Sequence, residues 1–442
     1  MIVMKFGGSS VDSAKSIERV AGIVRSQRDR RPVVVVSAMA KTTRNLWEAA
    51  DRAAAGDLPR TWELFEEIRD YHSREAPAAV SRLEGYFAEL RQVLEGIAAE
   101  GRVTPRSSDH VASFGELISS VILSMALDNA AWIDCRQVIV TDGQFTRAQP
   151  IYEETEPRLR DALLPHLEAG RVPVLGGFVG STREGVTTTL GKEGSDFSAA
   201  IVGAALGADE VQIWTDVDGM MTADPRCVEG ARCIRTLSFA ESLELACSGA
   251  KKPHYGTLGP ASRADVPIRI LNSWHLRQGN VSPTEGTLIG RRNAGAPPAI
   301  KSIAWKPGAH LLTVPAGTRV FEVCERFRPA LTVVSGNRRA DERQVELSLD
   351  RSDRLAEIEE ALGEVAVRPG RAVVSLVSDD LATSPELAER ILEIASPWEP
   401  RLVLEGAAAP CVRCLVEEAE VEQVLAELHE RVFQGPKGEP VA

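Results

Sequence analysis

Residues Thr187–Ala200 read TTTLGKEGSDFSAA, a hydroxyl-rich strand end followed by a glycine turn and the start of a helix. Gly191 and Gly194 permit tight or left-handed backbone. Ser195 is expected to cap the helix, and Asp196 falls in its first turn, where negative charge complements the helix dipole. Ala199, Ala200, Ile201, Val202, Ala204, Ala205 and Leu206 form an apolar helix body, and Gly207 is placed to end it. Backbone N–H groups, hydroxyls, a cation (Lys192) and two carboxylates (Glu193, Asp196) meet here, which suits a small, polar, charged ligand. The same pattern also fits an ordinary glycine-rich strand-to-helix connection.

Working outward, the punctuation recurs at the start of the chain. Ile2–Phe6 is a short apolar strand with Lys5 near its end, then come Gly7, Gly8, Ser9 and Ser10, and Ile17, Val20, Ile23 and Val24 have helical spacing. Strand, glycine pair and helix can cradle a phosphate on backbone N–H groups. The GxxxxGKS/T spacing of a P-loop is absent. Lys5 instead precedes the glycines, either reaching a phosphoryl oxygen from the strand end or standing in solvent. Pro32–Ser37 (PVVVVS) is a bare apolar run, expected of a parallel strand buried on both faces. Ser37 and the following Ala38, Met39, Ala40, Lys41, Thr42 and Thr43 lie where open α/β sheets bind ligands. Residues 45–100 read as helical, with aromatics in the core. Asp109–Ala126 is a helix carrying Glu116, which faces either a cleft or water.

Trp132–Asp134 and Val138–Thr141 are expected as strands, Glu156–Ala169 as a helix, and Val172–Leu175 as a strand leading into Gly176, Gly177, Phe178 and Gly180. Asp209–Thr215 reads as a strand ending in Trp214, Thr215 and Asp216. The loop VDGMMTADPR follows, with a turn at Asp218-Gly219 and a break at Pro225. Phe239–Ser248 is a helix, and Pro267–Leu271 a strand. Alternating strands and helices up to about residue 290 predict an α/β sandwich around a mainly parallel sheet. Gly290–Pro298 reads as a linker. Beyond it the texture changes to two small α+β units. Their strands are Leu311–Val314, Val345–Leu349, Ala372–Val377, Arg401–Leu404 and Val412–Val416, and their helices are Val320–Phe327, Arg354–Leu362, Pro385–Ile394 and Ala419–Val432.

A chain of 442 residues exceeds one ordinary core, so more than one domain is expected. At 44% hydrophobic and 26% charged, the composition is that of a soluble globular protein. No apolar run is long enough to span a bilayer. MIVMKFGG lacks the layout of a signal peptide. A net charge of −12 disfavours nucleic acid and anionic membrane surfaces. The seven scattered cysteines suit reduced thiols in a cytoplasm. Cys411 and Cys414 form a lone CxxC, expected as neighbouring strand positions rather than a zinc or redox site.

Taken in order, KFGGSSV, SAMAKTT, FGELISS, GGFVG, TTTLGKEGSDFSAA, WTDVDGMMTADPR, SGAKKPH and VPIRILNS make the chain resemble aspartate kinase over about residues 2–290. The tail resembles that family's paired ACT domains. The resemblance implies an amino-acid kinase fold, a three-layer αβα sandwich over residues 1–293. Tandem ACT-like units of βαββαβ type would cover 299–442, the first about 308–368 and the second about 369–442 with a strand from 299–306. It implies ATP-dependent phosphorylation of the L-aspartate side-chain carboxylate to 4-phospho-L-aspartate, the entry to lysine, threonine and methionine synthesis, with Mg2+ arriving on ATP and no metal held by the protein itself. A cytoplasmic homodimer formed through the ACT-like units is expected.

Carried over residue by residue, the resemblance assigns Lys5, Phe6, Gly7 and Gly8 to the γ-phosphoryl end of ATP. Thr215, Asp216, Met221, Arg226, Lys251 and Lys252 would hold the rest of the nucleotide. Ser37, Thr43, Glu116, Phe178, Lys192, Glu193, Gly194, Ser195 and Asp196 would line the amino-acid pocket. Lys5 and Asp196 would be catalytic. The chain departs from the family where Arg is usual (Lys192), where Gly is usual (Ala40) and where an aromatic is usual (Met221). These departures leave room for a related acidic substrate. Another amino-acid kinase, acting on glutamate or acetylglutamate, and a non-catalytic amino-acid-binding subunit are the alternative readings. The loop Pro315–Thr318 looks shortened, Leu331 stands where ligand-binding forms often have Asp, and Ala407–Cys411 lacks Ser and Asn, so feedback inhibition is expected to be weak or altered.

Overall fold

Ile2–Phe6 (β1) and Pro32–Val36 (β2) are buried along their whole length, as bare apolar strands inside a parallel sheet must be. They belong to a computed structural model that describes residues 1–250, 255–274, 285–292, 298–315, 318–319, 322–323, 331–339, 342–349, 355–398, 400–403 and 410–434. The chain divides into a unit formed by Met1–Met220 and Pro253–Arg291 and a second formed by Met221–Lys252 and Arg292–Ala442.

In the first unit the further strands are β3 (Ala130–Ile133), β4 (Val172–Gly176), β5 (Val179–Ser181), β6 (Thr187–Thr189), β7 (Glu210–Thr215), and, after β8 of the second unit (Thr236–Ser238), β9 (Ile268–Asn272) and β10 (Thr287–Gly290). The main sheet runs β3-β4-β2-β1-β7-β9-β10 within this unit. All pairs are parallel except β9 with β10. The register levels the strand ends: Phe6 lies opposite Val36 and Trp214, Val36 opposite Gly176, and Trp214 opposite Leu271. Gly7, Ser37, Gly177, Thr215 and Asn272 therefore leave the sheet at one edge.

Alternation sends Ile2, Met4 and Phe6 to one face, where they join Val20, Leu46, Phe65, Phe87 and Phe114 of the long helices in one core. The helical stretch expected from 45 to 100 is Thr42–Ala54, Leu58–Glu75 and Val80–Glu100. The opposite face, with Val3, Lys5 and Val211, takes the helix Gly194–Leu206. Gly203 lets it approach, since a Cβ there would lie 2.3 Å from Val211 Cγ2. One expected strand is absent. Cys135–Val138 is a helical turn, started by the Asp134 carboxylate accepting from Arg136 N at 3.0 Å, and Val140 makes only an isolated bridge to Ser181.

The second unit is an antiparallel sheet in the order β12-β13-β11-β14-β16-β15: β11 (Ser302–Pro315), β12 (Leu331–Arg339), β13 (Glu342–Leu349), β14 (Ala366–Val377), β15 (Arg401–Val403) and β16 (Cys411–Glu417). The long pair β11 and β14 runs through both halves, from Ser302 opposite Val377 to Thr313 opposite Ala366. Ile303, Val374, Leu376, Ile391, Val412, Val424 and Leu428 fill one core, and Leu312, Val314, Val323, Ile358 and Leu362 a smaller one. Small antiparallel sheets with helices packed on them match the expected ACT-like units. Cys411 and Cys414 are buried on β16, as expected. The segment Met221–Lys252, placed by sequence with the first domain, groups with this unit. Ile303 N donates to Thr222 O and Ser302 Oγ to Met221 O, both at 2.8 Å. Most of the expected helix Val320–Phe327, most of the linker, and Ala407–Ala409 lie outside the described residues. No helix among the described residues is long and apolar enough to cross a membrane.

Candidate active site

Lys5 is an interior strand residue, 3% exposed, on the face that receives Gly194–Leu206. A buried ammonium needs an anion. The first helical turn supplies Asp196, 0% exposed, whose Oδ1 pairs with Lys5 Nζ. Oδ2 of Asp196 has no hydrogen-bond partner. Gly7 follows, where a Cβ would make only ordinary contact, 3.7 Å from Lys5 Nζ and from Trp214 O. Gly8 is required by its neighbour: a Cβ would stand 2.6 Å from Ala38 O, and Gly8 O accepts from Ala40 N at 3.1 Å. The loops after β1 and β2 thus interlock through backbone.

Ser37 ends β2, with its N–H on Phe6 O at 3.0 Å and its carbonyl accepting from Ser119 Oγ at 2.8 Å. Its hydroxyl shares a hydrogen bond of 2.7 Å with Ser195 Oγ. Ser195 is therefore not the helix cap. Glu193 occupies the cap position in left-handed backbone, φ 55°, with no side-chain cap bond. Ser is the preferred residue type at a cap, but here the helix is capped two residues earlier, which leaves the Ser195 hydroxyl to the site. Gly207 ends the helix at φ 59°, as expected.

Glu116 is buried, and its Oε2 has no hydrogen-bond partner. Burial pushes its carboxyl up to about 8, against the opposing pull of the Ala38 backbone and the Lys5 charge. Tight packing sets it here. A Cβ on Gly115 would lie 2.7 Å from Ala38 Cβ and 3.5 Å from Thr43 Oγ1, and one on Gly176 would lie 2.9 Å from Glu116 O. Gly177 and Gly194 bring the third wall in, with Cβ positions 2.5 Å from Ser195 Cβ and 2.6 Å from Phe178 Cδ2. Phe178 takes φ 64°, unusual for a bulky residue, and its N–H is held by Ser198 Oγ at 2.9 Å.

Lys5, Gly7, Gly8, Ser37, Thr43, Glu116, Phe178, Gly194, Ser195 and Asp196 thus come together. Phe6 turns the other way, its ring stacked on Trp214 with centroids 6.0 Å apart, so only its backbone belongs to the edge. Lys192 and Glu193 sit on the rim, Lys192 exposed. Thr215 and Asp216 leave the same edge from β7, with Thr215 Oγ1 donating to Asp216 Oδ1 at 3.0 Å. Met221 and Arg226 lie in the second unit, Arg226 forked onto the Asp224 carboxylate with Nε at 3.0 Å from Oδ1. Lys251 and Lys252 lie outside the described residues. Sequence reading passed over Ser119 and Ser198, which hold Ser37 and Phe178 through backbone, and Asp109, which holds Thr146 and Thr189 beside the site. Ser198 is legible only as a helical serine able to bond the carbonyl four residues back, as it does to Gly194 O at 3.0 Å.

The edge combines a buried cation, the Asp196 carboxylate and the Glu116 carboxyl, both with oxygens short of partners, and glycine backbone. It can neutralise an anionic group on one side and receive an ammonium group on the other.

Comparison with known proteins agrees. The amino acid kinase family profile matches residues 1–272. Aspartokinase 2 of Arabidopsis thaliana, a chloroplastic protein, is 32% identical over 98% of this chain and 84% of its own length. Lysine-sensitive aspartokinase 3 of Escherichia coli is 32% identical over 98% of this chain and 99% of its own. The crystal structure of E. coli aspartokinase III with aspartate and ADP, in its R-state, superposes with a TM-score of 0.78 at 31% identity, covering 98% of this chain and 100% of that one. The chain belongs to the amino acid kinase family, in its aspartokinase branch.

Proposed function

We propose that this protein transfers the γ-phosphoryl group of MgATP to the side-chain carboxylate of L-aspartate, giving 4-phospho-L-aspartate and ADP. The observation that carries the reading is the buried Lys5–Asp196 pair set between the glycine loop of β1 and the partner-short carboxyl of Glu116. An aspartate oxygen attacks the γ-phosphorus, the bond from that phosphorus to the β,γ-bridging oxygen breaks, and the electrons leave on ADP. The nucleophile is already an anion, so no proton has to be removed. The difficulty is repulsion between carboxylate and triphosphate, which fixed positive charge and donor groups must offset.

In this reading Lys5 Nζ meets the transferring phosphoryl, and the backbone of Gly7 and Gly8 shapes the space beside it. Thr215, Asp216, Met221, Arg226, Lys251 and Lys252 serve the remainder of the nucleotide. Glu116 and Asp196 receive the substrate ammonium, Lys192 its α-carboxylate, and Ser37, Thr43 and Ser195 orient it by hydroxyls. Mg2+ enters on the triphosphate as part of the substrate. The product opens lysine, threonine and methionine synthesis in the cytoplasm, and the second unit joins two copies of the chain with weak amino-acid feedback. A coupled assay of ADP release tests the reading with aspartate, glutamate and acetylglutamate as acceptors. Turnover that requires aspartate supports it. Turnover only with another acceptor, or none at all, overturns it.

A further inference from the structure

Asp109 is a buried carboxylate that the proposed chemistry leaves unused. It is 2% exposed near the start of the helix Pro105–Ala126, on the helix that also carries Glu116. A separation of seven residues puts the two on one side of that helix. Oδ1 of Asp109 accepts from Thr189 Oγ1 at 2.7 Å, and Oδ2 from Thr189 N at 2.8 Å. Thr146 N donates to both oxygens, at 3.0 and 2.9 Å. These donors are neutral. Burial pushes the carboxyl up from its ordinary range, and the three donor groups oppose it.

What the carboxylate joins is more telling than its burial. Thr189 is the last residue of β6, directly before the loop Leu190–Glu193. Thr146 holds left-handed backbone at φ 71°, on a turn whose other contact is that same loop: a Cβ on Gly191 would lie 3.2 Å from Thr146 O. Ala148 N donates to Thr189 O at 2.9 Å, and Leu190 N to Phe178 O at 2.8 Å. The loop then passes Gly191 at φ 80° and Glu193 at φ 55°, closed by Gly194 N on Gly191 O at 3.0 Å. Its far end is fixed by the helix that bears Ser195 and Asp196. Its near end is fixed by Asp109, and Lys192 hangs between the two.

We infer that Asp109 is a positioning residue, which sets the affinity for the acidic acceptor by clamping the backbone of Thr189 and Thr146 beneath the loop Leu190–Gly194. The inference rests on the aspartate reading of that loop. A loop displaced by a fraction of an ångström loses oriented contacts that a correctly placed one makes.

The test is steady-state kinetics of the full chain carrying D109N. An amide in that place turns two N–H donors onto the Thr189 and Thr146 donors. The KM for aspartate should rise roughly tenfold or more, the loss expected when a buried hydrogen-bonded group is broken. The KM for ATP should stay within about threefold, since the nucleotide end is built on other strands. Hydrogen exchange at the amides of Leu190–Gly194 should quicken in the same protein, with or without substrate. Thr189→Val, which deletes only the hydroxyl donor, should raise the aspartate KM less, and Thr189→Ser should restore it. Unchanged aspartate KM with unchanged loop exchange overturns the inference, and so does an equal rise in both KM values. If D109N does not accumulate as folded protein, the Thr189 pair decides: equal aspartate KM for Val and Ser overturns it. A wild-type chain with no turnover on aspartate removes the proposed function, and loop exchange then judges Asp109 by itself.

Discussion

Each unit seats an ion pair on a buried carboxylate, and the two are finished differently. In the second unit Glu244 Oε1 accepts from Arg413 Nη2 at 2.8 Å, from Ser248 Oγ at 2.9 Å and from the Cys411 thiol at 3.5 Å. Burial, the largest influence there, pushes that thiol up to about 12, so it stays a donor. In the first unit neither Asp196 oxygen has a donor apart from the Lys5 ammonium, and Glu116 Oε2 nearby has none. A buried polar group without partners destabilises the fold by several kcal/mol or about 1–3 when neutral. Such groups persist where something else completes them. The first pair leaves its carboxylate oxygens without hydrogen-bond donors beyond the ammonium, whereas in the second the Glu244 carboxylate is closed by its neighbours and it is Arg413 Nε that lacks a partner.

The largest expected effect separates the two directly. Lys5→Ala should lower kcat by about 10²–10³-fold, the range for removing one preorganised charge donor, while the aspartate KM moves far less. Glu244→Gln should leave kcat within about threefold, because Glu244 meets no reacting group in this account. Near-normal turnover in Lys5→Ala would erase the distinction.

Glu116 sharpens it next. Its carboxyl sits near 8 in the folded protein against an ordinary 4.5. The folded state therefore holds the extra proton between those values, and this contribution to stability is complete at low pH and is lost as pH rises through about 8. Glu116→Gln should flatten the stability profile over that span and raise the aspartate KM roughly tenfold, as loss of a charged hydrogen bond does. Thermal unfolding from pH 5 to 9 checks the first part, and a slope identical to wild type would contradict it.

Lys192 tests the rim. Lys192→Ala should raise the aspartate KM about tenfold with little change for ATP, and Lys192→Arg should keep or improve aspartate affinity through its two-pronged fork. Unchanged kinetics in the alanine variant would return Lys192 to solvent.

On the closed side, Glu244→Gln should lower the melting temperature of the second unit. Arg413 is partly exposed, so the loss is nearer about 1–2 kcal/mol than the 3–5 typical of breaking a fully buried pair. Calorimetry reads it. The smallest effect belongs to Ala40, at φ 47° where the family usually has glycine. Ala40→Gly should stabilise by up to about 1 kcal/mol, relief of left-handed strain less the entropy of glycine. A lower melting temperature would contradict that.

These residues also mark what the sequence alone could carry. Ile2–Phe6 was legible to the residue because four apolar positions, interrupted only by Lys5, end on a glycine pair, the pattern of a strand buried on both faces. Lys5, Glu116 and Asp196 were legible as chemistry. Their burial and mutual placement depended on tertiary packing, which Gly177 and Gly194 permit. Val138–Thr141 looked like a strand because three consecutive apolar residues carry no periodicity, and the Asp134 side chain started a helical turn instead. Ser195 misled because the best capping residue type sat two positions past the cap. Asp109 gave no signal, since an aspartate early in a helix reads as dipole complement. Its donors Thr146 and Thr189 lie 37 and 80 residues away in sequence.

The most direct test of the account is to trap the product. The protein, MgATP and L-aspartate are incubated with hydroxylamine, which converts an acyl phosphate to a hydroxamate. The account predicts the side-chain hydroxamate of aspartate in amounts equal to the ADP formed, with both nearly abolished in Lys5→Ala. ADP released without hydroxamate, or a hydroxamate formed at the α-carboxyl, would contradict it.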